Sequence, residues 1–201
     1  MLGNWLMQHH RQKEAFKMFT DVLKEEPENS YAQMSLYDYY KATQQEDQAH
    51  QMLDKILLSP KTDLETKVMM FRSFIQDNET HGGDSTQVVA LFDKVLDVPQ
   101  PSADVAEMRA AYMSLKKMPD SIIGKAYEKV LAIAPDNVNA RLQLVQLLWN
   151  QKDYTSVITQ SKAAHEYNPE EMVFYYFGGM AHYQKNDEDA ALHEFRQGVA
   201  Q

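Results

Sequence analysis

Short stretches in which apolar residues recur every three or four positions alternate along the chain with polar breaks that contain proline. Ala15, Phe19 and Val22 are spaced i, i+4, i+7, and Pro27 follows them. This spacing places the three side chains on one face of a helix, which proline cannot continue. Alternating strand-like runs bounded by Asn-Gly or Asp-Gly turns are missing from the sequence. The pattern predicts an all-α chain of short amphipathic helices.

The same phrase recurs with a period of about 34 residues, as the separations of Ala15 from Ala49 and of Pro135 from Pro169 show. The six copies are Ala15, Phe19, Val22, Pro27; Ala49, Leu53, Ile56, Pro60; Val88, Phe92, Val95, Pro101; Ile123, Tyr127, Val130, Pro135; Val157, Ser161, Ala164, Pro169; and Ala191, Phe195, Gly198. Repeats of this length predict helical hairpins that each cover the apolar face of a neighbour.

A second amphipathic stretch precedes each of these helices from the second copy onward. The predicted stretches are 30–43, 62–76, 102–116, 137–150 and 170–184. Thr62 with Glu65 predicts a capping box at one helix start, and Asn168-Pro169 with Glu171 predicts another start. The third copy carries about six extra residues within 76–87, so we expect a longer, mobile turn there.

The repeated phrase resembles the tetratricopeptide repeat (TPR) family over nearly the whole chain. The best matches to the family's Leu-Gly, Ala, Phe and Pro positions are Leu2-Gly3, Ala15, Phe19 and Pro27 in the first copy and Gly178-Gly179, Ala191 and Phe195 in the last. The resemblance implies a right-handed α-solenoid of about six bacterial-type repeats. The expected array covers 1–201, with repeats near 1–29, 30–62, 63–103, 104–137, 138–171 and 172–201.

Both ends of the sequence fall inside a repeat. The first copy lacks the start of its first helix, and the last copy stops before its closing proline with Leu192 and Val199 still apolar. Terminal repeats normally carry a polar cap. We therefore expect a piece of a longer protein. Self-association through uncapped terminal repeats is the alternative.

Composition removes several classes of function. The formal net charge is −9, and no block of Lys and Arg offsets it, so nucleic acid is not an expected partner. RNA binding by a related helical-repeat array stays open only as a third hypothesis. No apolar run is long enough to predict membrane insertion of this segment. The compartment stays open between the cytoplasm and a bacterial periplasm or cell envelope.

The residues that carry catalytic or metal chemistry form no recognised motif. The absence of cysteine excludes thiol catalysis and Cys-ligated zinc. The seven histidines contain no His-Glu-x-x-His pair, and Gly82-Gly83 lacks the flanks of a phosphate-binding loop. We expect no enzyme activity, no cofactor and no metal site.

The resemblance implies that the first helix of each pair lines a concave groove. Its phase carries the groove-facing positions onto Met34, Asp38, Lys41, Lys67, Phe71, Met108, Tyr112, Leu142, Gln146, Trp149, Tyr176, Met180 and Tyr183. Asn4 and Met7 would stand at the open N-terminal end, with Tyr31 and Asn139 at the groove edge. The bland alternative is that many of these side chains are core between repeats. Chaperone-binding members of the family hold a partner's C-terminal carboxylate with Lys, Asn and Arg side chains of successive first helices. Such a clamp is not expected here, because Asp38 occupies one of the clamp positions.

The sequence thus predicts a scaffold that binds a protein or peptide segment in the groove. Met adapts to varied partners, and aromatic residues are over-represented where partners bind tightly. The alternative is an assembly or structural segment of a larger cell-envelope or enzyme protein whose activity lies outside these residues.

Overall fold

The computed structural model describes residues 5–7, 9 and 11–201. Eleven α-helices lie entirely within this part of the chain, residues 5–7 are also helical, and these residues contain no β-strand. The helices are α1 Gln12–Glu25, α2 Ser30–Ala42, α3 Glu46–Leu58, α4 Leu64–Thr80, α5 Ser85–Leu96, α6 Asp104–Leu115, α7 Asp120–Ile133, α8 Val138–Asn150, α9 Tyr154–Tyr167, α10 Met172–Gln184 and α11 Glu188–Val199. The predicted all-α class is confirmed. Leu2, Gly3 and Asn4, used above for the resemblance and the groove end, lie outside the described residues.

The chain divides into two compact units, unit 1 (Met1–Val98) and unit 2 (Pro99–Gln201). In unit 1, α1 packs on α2, and α2–α3 and α4–α5 form hairpins. In unit 2, the hairpins are α6–α7, α8–α9 and α10–α11. Within each unit, every helix packs against the next one in sequence, so the apolar faces are covered by chain neighbours. A single array running through 1–201 stays a prediction.

The predicted apolar phrase forms the core of each unit. The buried members are Ala15, Phe19, Ala49, Leu53, Ile56, Val88, Phe92 and Val95 in unit 1, and Ile123, Tyr127, Val130, Val157, Ser161, Ala164, Ala191 and Gly198 in unit 2. Val22 and Phe195 are only half buried. Burying a large apolar side chain contributes roughly 1.5–3 kcal/mol, so the large members of this set stabilise both units.

A residue with positive φ closes the turn inside each complete hairpin. These residues are Gln44, Gly82, Lys117, Lys152 and Asn186, with φ between 51° and 66°. The following N–H donates to the carbonyl oxygen five residues earlier, as from Asp153 to Leu148 at 3.0 Å. This is the Schellman arrangement that ends a helix. The sequence did not reveal it, because only one of the five residues is glycine.

Two helix starts differ from their predicted caps. The N-cap of α4 is Asp63, whose side chain accepts a hydrogen bond from the Thr66 N–H at 2.8 Å. Thr62 is buried instead, so the predicted capping box is wrong. The helix α10 begins at Met172 with no side-chain cap, and Asn168 donates to the Asp136 carbonyl at 2.9 Å. Asn168 therefore ties two inter-hairpin loops together rather than capping α10.

The extra residues of the third copy lengthen a helix instead of a turn. The helix α4 has 17 residues, and only residues 81–84 separate it from α5. Near its end, the buried Asn78 donates to the Gln87 side chain at 3.2 Å. Gly83 passes so close that a Cβ there would lie 2.4 Å from Asn78 Nδ2. The predicted long turn is wrong because helix extension and this polar contact hold the inserted residues.

Candidate functional site

The thirteen residues predicted to line a groove differ widely in exposure. Three are buried: Lys67, Phe71 and Tyr112. Six are half buried: Met34, Lys41, Met108, Leu142, Trp149 and Met180. Four are exposed: Asp38, Gln146, Tyr176 and Tyr183. The described positions at the expected groove edge, Tyr31 and Asn139, are exposed as well.

The three buried residues present almost no surface to a partner. The Phe71 ring stacks on Phe92, with ring centroids 4.3 Å apart. Tyr112 lies in the core of unit 2 beneath the Lys116 ammonium, which is 5.7 Å from its ring centroid. Burial lowers the pKa of Lys67. These side chains serve as core in the structure, which is the alternative that the sequence left open.

A cluster of aromatic rings lies on α8 and α10, each of which is the first helix of a hairpin in unit 2. Trp149 of α8 meets Phe177 of α10 edge-on at 5.8 Å, and Phe177 meets Tyr176 at 5.9 Å. Met180 and Tyr183 share a face of α10 with Tyr176, since they follow it at i+4 and i+7. Trp149, Tyr176, Phe177, Met180 and Tyr183 are called the aromatic surface here.

One side of the aromatic surface packs on the core of unit 2, and the other side is exposed to solvent. Trp149 and Phe177 pack on a buried cluster in which Val145, Val157 and Phe174 have no exposed surface. Tyr176 and Tyr183 are 55% and 56% exposed. Large rings are costly to leave in water, and a fixed ring loses little freedom on binding. The arrangement can therefore take up an apolar or mixed segment of another chain.

A cavity of about 390 Å³ lies between the first turns of α2 and α4 in unit 1. It is called the acid-lined cavity, and its walls are Asn29, Ser30, Tyr31, Met34, Asp63, Glu65, Thr66 and Met69. Tyr31 is 85% exposed, and Met69 is also exposed. These two side chains and the half-buried Met34 give the cavity an apolar part beside two carboxylates.

Asp38 lies on the same face of α2 as Tyr31 and Met34, one or two turns further along. Within the described part of the chain it makes no hydrogen bond or ion pair. The Asp38 residue is exposed to solvent, but protein atoms surround part of its carboxylate. This partial burial raises the pKa of Asp38. Asp38 is therefore an acid without a cationic partner among these residues.

Lys41, by contrast, has its charge satisfied inside unit 1. Its ammonium donates to Asp77 at 2.7 Å and to Glu46 at 2.9 Å. Burial works against the charged form, but these two hydrogen bonds outweigh it and raise the pKa of Lys41. Asp77 also meets the His81 ring at 3.2 Å. Lys41 thus links α2 to α4 and α3 rather than offering a free cation to a partner.

A buried polar group that sequence reasoning missed joins the last three helices. His165 Nε2 lies 3.3 Å from the buried Glu194 carboxylate, and the His165 ring stacks on Tyr175 at 3.9 Å. Burial lowers the pKa of His165, and Glu194 partly opposes this shift. The sequence carried one sign of this pair. Glu194 is a charged residue of α11 that lies between Ala191 and Gly198, two positions of the repeated apolar phrase.

Among residues 5–7, 9 and 11–201, no three His, Asp or Glu side chains are grouped so that they could hold a metal ion. In the same residues, no helix has the length and apolar character that crossing a bilayer requires.

Fold and exposed surfaces together define the class of an all-α protein built from repeated helical hairpins. No protein-family model and no curated protein matches the chain. Among solved structures, MamA AMB-1 superposes with a TM-score of 0.51 at 16% identity, over 85% of this chain and 90% of that one. A second MamA structure gives 0.46 at 14% identity, over 100% and 94%. YrrB, "a TPR protein with an unusual peptide-binding site", gives 0.43 at 14% identity, over 98% and 81%.

The particular fold within that class follows from the first of these likenesses. MamA is a TPR protein, and its likeness to this chain, together with the hairpins described above, shows that the chain has the TPR fold. The resemblance inferred from the repeated phrase is thereby confirmed at the level of fold.

Proposed function

We propose that this chain is a non-enzymatic scaffold whose aromatic surface holds a segment of a partner protein. The observation that carries the proposal is the exposure of Tyr176 and Tyr183 next to rings anchored in the core. Aromatic side chains contribute large contact areas, and their hydroxyl groups suit a surface that is wet before binding. Isolated exposed apolar residues are ordinary, but a contiguous cluster indicates an interaction site.

The expected partner element is an extended or helical segment rather than a folded domain. The surface runs along α10 from Tyr176 to Tyr183, a rise of about 10 Å. A segment of a few residues covers that length. Binding in the micromolar range corresponds to about −8 kcal/mol, which a few buried rings can supply.

The partner can be found by photo-crosslinking from the surface itself. A benzophenone amino acid replaces Tyr176 or Tyr183 in the full chain, and adducts are identified by mass spectrometry. The matched control places the same group at Tyr167, a tyrosine of α9 that is exposed but outside the aromatic surface. The proposal expects one shared adduct at positions 176 and 183 and none at 167.

Purified partner is then titrated against Tyr176→Ala/Tyr183→Ala. Both rings are more than half exposed, so the double variant should keep its fold. We expect binding to weaken at least about tenfold, since hot-spot rings each contribute more than about 1 kcal/mol. Tyr167→Ala should bind as the parent does. Unchanged affinity of the double variant, with a circular-dichroism melt like the parent's, would show that the partner binds elsewhere.

A further inference from the structure

The acid-lined cavity of unit 1 has the composition of a site for a cationic side chain. Its carboxylates are Asp63 and Glu65, and none of its eight wall residues is Lys, Arg or His. Tyr31 belongs to the wall of this cavity and is 85% exposed. An aromatic face and a carboxylate are the two groups that attract ammonium and guanidinium ions.

The apolar part of the cavity suits the rest of such a side chain. Lys and Arg carry three or four methylene groups that prefer apolar surroundings. Met34 and Met69 present thioether side chains that adapt to an irregular partner. The volume of about 390 Å³ lies within the usual range for small-ligand pockets, roughly 300–1,000 Å³.

An anion is the other occupant to consider, because two helix N-termini border the cavity. At each of these N-termini, one of the free N–H groups is already used by the cap. The Asn29 side chain accepts from the Ala32 N–H at 3.0 Å, and the Asp63 side chain accepts from the Thr66 N–H at 2.8 Å. Hydrogen bonds from the Thr66 N–H and the Thr66 hydroxyl lower the pKa of Asp63, so its carboxylate stays charged and repels an anion.

We propose that the acid-lined cavity of unit 1 binds an Arg or Lys side chain of the partner protein, in a segment of its own rather than the one on the aromatic surface. The proposal rests on the proposed function and names the partner's chemistry. Asp38 supplies a second acid on the same face of α2, seven residues beyond Tyr31, or about 10 Å along the helix. An extended segment rises about 3.3 Å per residue. The preferred segment therefore carries two cations three residues apart, with apolar residues between them.

The probe is a fluorescein-labelled peptide with two arginines separated by two leucines, and its twin has glutamine at both arginine positions. Fluorescence anisotropy with the full chain measures both affinities. We expect the arginine peptide to bind at least about tenfold more tightly and to lose affinity as salt is added. Equal binding of the two peptides, or no binding of the arginine peptide, overturns the proposal.

The cavity is tested with Asp63→Asn/Glu65→Gln, which removes two charges but leaves an N-cap, because Asn caps helices as well as Asp. The control Glu188→Gln/Asp189→Asn removes two charges from the first turn of α11. We expect the cavity variant to bind the arginine peptide about tenfold more weakly, and the control to bind it as the parent does. An equal loss in both variants would mean that only the overall charge of −9 attracts the peptide.

The aromatic wall gives a second readout. Tyr31→Phe keeps the ring face and should keep affinity, whereas Tyr31→Ala should lower it. If the arginine peptide is lost from Tyr176→Ala/Tyr183→Ala but not from the cavity variants, the proposed function stands and the cavity proposal fails. If only the cavity variants lose the peptide, the cavity proposal stands, whichever segment the aromatic surface binds.

Discussion

Two adjacent glycines allow α10 to lie unusually close to its neighbours in unit 2. A Cβ at Gly179 would lie 2.5 Å from Phe195 Cε1, and three atoms of that ring would be closer than 3 Å. A Cβ at Gly178 would lie 3.1 Å from Ser161 Cβ and 3.2 Å from Glu194 Oε2. The Gly-Gly pair that the sequence matched to the family's Leu-Gly position is therefore required by packing.

Gly179→Ala should lower the free energy of unfolding by about 1–3 kcal/mol, because the whole Phe195 ring must move. The matched control is Gly124→Ala in α7, where the new Cβ would meet Leu144 Cδ1 at an ordinary 3.7 Å. There alanine should raise the free energy of unfolding by about 0.5–1 kcal/mol, since glycine is the poorer helix former. Urea denaturation measures both variants. The same sign of change in the two would contradict this packing.

At the scale of single residues, the sequence predicts core positions better than turn positions. The i, i+4, i+7 phrase marks side chains that are buried, because burial follows directly from helix periodicity. The left-handed residues Gln44, Lys117 and Lys152 carry no such signal, because their backbone conformation is set by the packing of the two helices around them. The same holds for Glu194, whose burial depends on which side chain faces it.

At the scale of elements, α9, α10 and α11 share the buried pair of His165 and Glu194. Burial lowers the pKa of His165 below its ordinary value of 6.5. The unfolded chain therefore binds a proton at this residue more readily than the folded chain does. The contribution of His165 to stability is retained above pH 6.5 and falls as pH drops through that value.

His165→Gln should accordingly reduce the loss of stability on going from about pH 8 to pH 5. The comparison variant is His193→Gln, which removes a histidine that is exposed on α11 and lies outside the buried pair. The measurement is the melting temperature across this range for all three proteins. A pH profile of His165→Gln that overlays the parent's would show that the pKa of His165 does not change on unfolding.

Helix positions followed from the sequence, whereas two caps and one turn did not. Periodicity predicted the first helices within a few residues, because an amphipathic face extends over several turns. A cap depends on one hydrogen bond, and two candidates stood side by side at Thr62 and Asp63. The inserted residues of the third copy could lengthen either a helix or a turn. In the structure Asn78 donates to the Gln87 side chain, and helix periodicity gives no sign of that contact.

At the scale of the whole molecule, the repeat explains why one period yields both core and surface. Phe71 and Tyr176 were assigned to the same groove by phase, yet Phe71 is covered and Tyr176 is open. Phase fixes the face of a helix on which a residue lies, but the neighbouring helices decide how much of that face is covered. The candidate surfaces therefore cannot be identified from the repeat alone; they require the exposed fraction of each side chain in the structure.

The central claim is that the aromatic surface holds a segment of a partner protein. Hydrogen exchange of the full chain, measured alone and in complex with the partner that crosslinking identifies, tests this claim most directly. Exchange is slowed wherever a partner covers or rigidifies the backbone. Within unit 2, we predict that slowing is concentrated in α8 and α10, which carry the aromatic surface, and leaves α7 and α9 unchanged. Slowing confined to α7 and α9, with α10 unaffected, would contradict the claim that this surface holds the partner.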